Sequence, residues 1–309
     1  MRIALVTPAG PGTRNGNRHT ALRWAAFLRA AGHRVNVCVE WPGSSADAML
    51  ALHARRSHAS IKAFPRDKLL VLALTGTDVY RDIHESKEAR ESLERADRFI
   101  VLQSKALKEL APSLRRRTTV VVQSSATRLR HAPIRNNFRI CVVGHLRAEK
   151  DPLRALAALA FLEDPRIEVV HLGAGLDPGL ASQAKAGMAR DPRYRWIGGV
   201  AHARALQWMA SSHAMVISSR MEGGANVVCE ALRIGLPVLA SRIPGNVGLL
   251  GADYPGYYPV EDAQALARLI RRAAADRRFY RRLKARVKAL RGSVAPRSEA
   301  RALLSAVED

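Results

Sequence analysis

An α/β chain of two doubly wound parallel-sheet domains is what this sequence predicts, on three observations. Apolar runs of strand length alternate with segments of helical periodicity along the whole chain. That alternation lapses once, near the middle. With 309 residues, 48% of them hydrophobic, there is material for two domains of ordinary size, each with its own core.

Taken in order, residues 3–7 (IALVT) form an apolar strand that runs into the glycine- and proline-rich loop 8–17, which bends backbone toward a ligand. Residues 19–31 carry helical spacing through Leu22, Ala25, Ala26 and Leu28, Gly32 stops it, and 35–39 is a second strand. The pattern repeats with strands at 48–52, 69–74, 99–102 and 120–122. The polar, proline-containing stretch 130–137 (RHAPIRNN) reads as a linker. A second series follows: strands at 139–143, 167–172, 194–197 and 214–218, with helices at 152–162, 179–189 and 203–210 between them. The resulting division is an N-terminal domain 1–133, a C-terminal domain 138–290, and a C-terminal helix 291–309 that packs back on the first domain. Both domains are Rossmann-like, and such sheets bind ligands outside the carboxyl ends of their strands, which places a ligand in the cleft between two domains.

Composition narrows the function. The formal net charge is +23, spread along the chain, and the tail 263–290 is helical and basic, with nine cations between Arg271 and Lys288. A solvated helix face explains the tail, and an anionic membrane surface is the sharper alternative. Aromatic residues are only 5%, with no recognition motif, so a specific nucleic-acid partner is not expected. No apolar run is long enough for a bilayer span or a signal peptide, and Cys38, Cys141 and Cys229 are widely spaced, as buried thiols in a reducing compartment are. A cytoplasmic enzyme is the expectation. G-x-G-x-x-G, the P-loop, H-E-x-x-H and D-x-D are all absent, so neither a dinucleotide, a P-loop nucleotide nor a dedicated metal is expected.

Two stretches carry chemistry. Residues 218–246 (SSRMEGGANVVCEALRIGLPVLASRIPGN) read as loop, short helix and strand, with Glu222 before the helix and Glu230 within it. Gly223 and Gly224 let backbone N–H groups approach a ligand, and the helix N-terminus suits a phosphate between two carboxylates that accept sugar hydroxyls. Residues 144–151 (GHLRAEKD) follow the first strand of the second domain, putting Arg147 and Lys150 where a diphosphate is held and its leaving-group charge is stabilised. In the first domain, Thr75, Gly76, Thr77 and Asp78 follow one strand, and His53, Arg55 and Arg56 follow another. Asp78 serves there as a helix cap, as a substrate-orienting carboxylate or as a base.

The order of GHLRAEK at 144–150, SRMEGGANVVCEA at 219–231 with its E-x7-E, GLPVLAS at 235–241 and Gly245-Asn246 resembles the second domain of GT-B glycosyltransferases of the family 4 kind. That resemblance implies Arg147 and Lys150 on the donor diphosphate, Glu222 on the transferred sugar and Glu230 on the nucleotide ribose. Gly144, Gly223, Gly224, Ala225, Asn226 and, from the first domain, Gly12, Thr13 and Asn15 complete the donor site. Blocks along nearly the whole chain narrow it: NGNRHTALRWA, ALHARRSHASI, LTGTDVYRDI, VGHLRAEKDP, HLGAGLDP, YRWIGG and ASRIPGN together are similar to the selenosugar synthases of selenoneine biosynthesis. This implies transfer of N-acetylglucosamine from UDP-N-acetylglucosamine to selenophosphate, with UDP and phosphate released and no cofactor or metal. Arg14, Asn17, His53, Arg55, Arg56, Thr75, Gly76, Thr77 and Asp78 are the acceptor-side candidates. The TGTD loop lacks the histidine often found near that strand end, so no general base is assigned. The alternatives are a GT-B transferase with a lipid or glycan acceptor, and a UDP-sugar epimerase.

Overall fold

The structure, a computed structural model, describes residues 1–13 and 16–308. The chain divides into two compact units. The first comprises residues 1–123, the short segment Glu222–Asn226 and the chain from Pro296 onward; the second comprises Ser124–Met221 and Val227–Ala295.

The first unit is a six-stranded sheet in the order β2-β1-β3-β4-β5-β6, parallel throughout. Its strands are β1 (Arg2–Val6), β2 (Arg34–Cys38), β3 (Ala48–Leu52), β4 (Leu69–Leu74), β5 (Arg98–Val101) and β6 (Thr118–Val120). Its helices are α1 (Gly16–Ala30), α2 (His58–Ala63), the single turn α3 (Ile83–Glu85), α4 (Lys87–Arg95) and α5 (Pro112–Arg115). The inner strands are apolar on both faces, β3 being fully buried, because helices cover both sides of a parallel sheet. Trp24 and Leu28 of α1 pack on one face, and Phe64, Ile83 and Ala89 cover the other. The chain reverses direction across the sheet between β1 and β3, so the loops after these two strands flank the switch point where such folds bind ligands.

The second unit repeats the architecture in the order β12-β11-β10-β7-β8-β9, again all parallel. Its strands are β7 (Phe138–Val143), β8 (Ile167–Leu172), β9 (Tyr194–Gly198), β10 (Ala214–Ile217), β11 (Val238–Ser241) and β12 (Tyr257–Tyr258). The helices are α6 (Arg154–Leu159), α7 (Pro178–Arg190), α8 (His202–Ser211), α9 (Asn226–Ile234), α10 (Pro244–Leu250), α11 (Ala263–Ala275) and α12 (Arg277–Leu290). Here the switch point lies between β7 and β10, so the loops 144–151 and 218–221 leave the sheet side by side.

Several segments differ from the sequence reading. The stretch 130–137, read as a linker, lies within the second unit, where His131, Ala132 and Ile134 donate backbone N–H groups to Ile234, Ala210 and Ser211 carbonyls. The basic tail is two helices, because Asp276 caps α12 by accepting from the N–H groups of Arg278 and Phe279. The helix read at 152–162 is confined to Arg154–Leu159, and α10 and β12 were not anticipated. A last helix, α13 (Pro296–Glu308), belongs to the first unit, where Leu303, Ala306 and Val307 join the core around Trp24. Its Glu299, with a fully buried side chain, accepts from Arg23 Nε at 2.8 Å and from Trp24 Nε1 at 2.7 Å. Removing one member of such a group strands the others, so α13 is bound to α1 by polar bonds as well as apolar contact.

Candidate active site

In the second unit, the loop between β7 and α6 is built by short-range constraints. His171, the last residue but one of the strand β8, donates from Nε2 to the Gly144 carbonyl at 3.1 Å and accepts the Tyr194 hydroxyl at Nδ1, 2.9 Å away. Burial pulls the imidazole down to about 4, so the ring is neutral and this tautomer persists at neutral pH. Gly173 lies against the same carbonyl so closely that any β-carbon would overlap it. The loop thereafter presents Arg147, its Nη2 3.0 Å from Glu149 Oε1, followed by Lys150, and turns through Asp151 in the left-handed region at φ 44°. Arg154 closes the turn on the Asp151 carboxylate at 2.7 Å.

The neighbouring loop after β10 is fastened to this one. Ser218 Oγ donates to the carbonyls of Lys150 and Asp151, and Arg220 N–H donates to the Glu149 carbonyl at 2.9 Å. Ser241 donates to the Ser219 carbonyl and Asn246 Nδ2 to the Ser241 carbonyl, which ties the ends of β10 and β11 together. Glu230 stands in the second turn of α9, 15% exposed, with His202 Nε2 2.7 Å from its Oε1. Arg147, Lys150 and Gly144 are thereby brought to the switch point of one sheet.

The segment Glu222–Asn226 lies on the first unit. A β-carbon on Gly223 would sit 2.5 Å from the Thr75 carbonyl oxygen and 2.6 Å from Gly76 N, and one on Gly224 would overlap Leu102. Both glycines are therefore required by close backbone approach over the carboxyl ends of β4 and β5. Glu222 itself is 8% exposed, and its field adds to burial and Glu109 in pushing up the Tyr80 hydroxyl. Asn226, the first residue of α9, accepts from Arg23 Nη2 at 3.2 Å.

The loop after β4 is held by Asp78. Its fully buried carboxylate accepts from the backbone N–H groups of Ala54, Thr75 and Gly76, at 3.1, 3.0 and 2.7 Å. Asp78 therefore shapes the loop, its two oxygens engaged by backbone N–H groups. His53, 3% exposed at φ 77°, sits 3.9 Å from Asp78, 3.8 Å from Asp82 and 3.3 Å from Thr77 Oγ1. Burial lowers its ring against the pull of the two carboxylates. In that neutral ring Nδ1 faces the Arg56 N–H at 3.4 Å, which leaves the hydrogen on Nε2, donated to Thr77.

Of the other candidates in this unit, Arg55 pairs with Asp82 at 2.9 Å and Arg56 is exposed. The Thr75 hydroxyl is buried with no partner among the described residues, as is that of Thr7 at the end of β1. Gly12, at φ 82°, and Thr13, which donates to the Gly10 carbonyl at 2.8 Å, form an exposed turn, and Asn17 is half-buried in α1. Arg14 and Asn15 lie outside the described residues. Among those described, no group of three His, Cys, Asp or Glu side chains is placed to hold a metal, and no helix is long and apolar enough to cross a membrane. Sequence reasoning missed His171, Asp82, His202 and Ser218. A histidine inside an apolar strand and an Asp four residues after another were the available signals for the first two; for His202 and Ser218 the partners are distant in sequence.

A sequence model described as "Glycosyl transferases group 1" matches residues 124–289. A relative in Xenopus tropicalis, glycosyltransferase 1 domain-containing protein 1, is 25% identical over 85% of this chain and 86% of its own length. Among solved structures, HepE of Anabaena in complex with UDP and glucose is similar over the full length of both chains, with a TM-score of 0.80 at 16% identity. Sucrose-phosphate synthase of Thermosynechococcus elongatus matches 97% of this chain and 96% of its own, with a TM-score of 0.75 at 17% identity. At these identities the likeness is one of fold, and the fold is GT-B with two Rossmann-like units.

Proposed function

The chain belongs to the group 1 glycosyl transferases, and from that premise we propose that it is a UDP-sugar-dependent transferase forming a carbon–selenium bond, with UDP-N-acetylglucosamine as donor and selenophosphate as acceptor. Arg147 and Lys150 hold the donor diphosphate, Glu230 the ribose and Glu222 the transferred sugar. Selenium forms a bond to the anomeric carbon as the bond from that carbon to the UDP oxygen breaks. Water then takes the phosphoryl group from selenium, leaving the selenosugar and phosphate. UDP leaves as an anion whose charge the guanidinium and ammonium groups stabilise, so the reaction needs no resident cofactor or metal.

The observation that carries the acceptor is the state of the Thr75–Asp78 loop. Its carboxylate is engaged by three backbone N–H groups, and the basic nitrogen of the nearby His53 ring, Nδ1, faces the Arg56 N–H. No general base stands ready in this loop among the described residues. A sugar hydroxyl as acceptor needs one, whereas selenophosphate arrives as a soft anion that needs positioning, which Thr75, Thr77, Arg55 and Arg56 supply, with Arg14 and Asn17 as further candidates. The likeness of HepE, solved with UDP and with UDP-glucose, supports the donor class.

The test is a UDP-release assay with UDP-N-acetylglucosamine in the presence of a chelator. UDP appears only when selenophosphate is added, and NMR of the acceptor-free mixture shows the donor unchanged. Conversion of the UDP-sugar without acceptor would assign the chain to epimerisation, and release stimulated by a lipid or glycan but not by selenophosphate would assign a conventional acceptor.

A further inference from the structure

The C-terminal end of α9 and the last turns of α12 meet at a small cavity of about 240 Å3 lined by Gly235, Lys284, Ala285, Lys288 and Arg291. It lies at the opposite end of α9 from Asn226 and within the second unit. Three of its five lining residues are cations, Lys284 and Lys288 being one turn apart, and α12 contains no acidic residue to neutralise them. Arg291 Nε, in the lining, is buried without an acceptor among the described residues. Buried donors in folded proteins nearly always have a partner, and an unpartnered guanidinium N–H among clustered cations asks for an anion. The other two lining residues, Gly235 and Ala285, have no side-chain acceptor. Next to Gly235, His131 adds no charge, since burial lowers it to about 4 while its Nε2 donates to the Ser212 carbonyl.

We propose that this cavity is a second anion site, separate from the donor residues, that binds a phosphate or diphosphate group. A guanidinium Nε–H and two ammonium groups match phosphate oxygens, and the volume is below the ~300 Å3 at which sites for whole drug-sized ligands begin. The group belongs either to a free polyphosphate or to the headgroup of an anionic phospholipid.

The experiment titrates inorganic pyrophosphate into the full chain by calorimetry, with and without saturating UDP. A second arm sediments the protein with phosphatidic acid or phosphatidylcholine vesicles. Two double variants remove the same charge: Lys288→Gln with Arg291→Gln in the cavity, and Arg278→Gln with Arg282→Gln at exposed positions elsewhere on α12. One equivalent of pyrophosphate binds in the presence of UDP, and the cavity pair weakens it tenfold or more while the control pair changes it less than twofold. The same split with phosphatidic acid vesicles identifies a headgroup, and no sedimentation identifies a free anion. Binding abolished by UDP, weakened equally by both pairs, or absent in both arms overturns the proposal. Should the cavity pair fail to fold, the exposed Lys288→Gln alone reads the same split. UDP binding is titrated separately, so failure of the donor reading is told apart from failure of this one.

Discussion

Gly223 shows how a single missing side chain positions its neighbour, Glu222. With Thr75 O and Gly76 N at 2.5 and 2.6 Å from where a β-carbon would stand, Gly223→Ala must lift the segment that carries Glu222. Overpacking of this kind costs about 1–3 kcal/mol, and a displacement near 1 Å costs up to ~100-fold in rate. The melting temperature of Gly223→Ala therefore falls by a few degrees while kcat falls far more. Glu222 and Glu230 separate in kinetics: Glu222→Ala lowers kcat through lost contacts to the sugar, whereas Glu230→Ala weakens UDP about tenfold, roughly one charge-assisted hydrogen bond. Unchanged UDP affinity in Glu230→Ala, measured by calorimetry, would contradict the ribose assignment. Gly223 and Gly224 were legible in the sequence because paired glycines beside a carboxylate after a buried strand have a physical reason to be there. The role of Asp78 was only half legible, since cap and substrate contact share one signal, and the three N–H groups around it could not be read from the sequence.

Among elements, the strands were the most legible. The strands at 69–74 and 167–172 have the same bounds in sequence and structure; the first, covered on both faces, reads as an uninterrupted apolar run, LLVLAL. The break between α11 and α12 was signalled by Asp276 but hidden inside a continuous basic run. Nothing local announces the bond between α13 and α1, whose partners Arg23 and Glu299 are 276 residues apart. Buried histidines on two elements give the second unit a pH response. His171 on β8 and His131 before β7 are both lowered to about 4, while an unfolded imidazole titrates at about 6.5. The unfolded chain binds more protons between these values, so stability present above pH 6.5 is lost as pH falls toward 4, at up to ~1.4 kcal/mol per pH unit for each histidine. A melting series from pH 7 to 4 shows this slope, and His131→Gln, which can still donate to Ser212 O, loses part of it. An unchanged slope in that variant would deny His131 its share.

At the scale of the whole molecule, two parallel sheets with switch points between β1 and β3 and between β7 and β10 account for where the candidate residues lie. One sheet carries Arg147 and Lys150 at its switch point, and the other holds Glu222 over a loop whose Asp78 is engaged by backbone. In the proposed reading the acceptor is already a nucleophile, and that is the part of the reading to test. The direct test is mass spectrometry of the products formed from UDP-N-acetylglucosamine and selenophosphate with chelator present. A sugar bearing the selenium isotope pattern, formed together with UDP, is the predicted result; UDP released with no selenium in any sugar would contradict it.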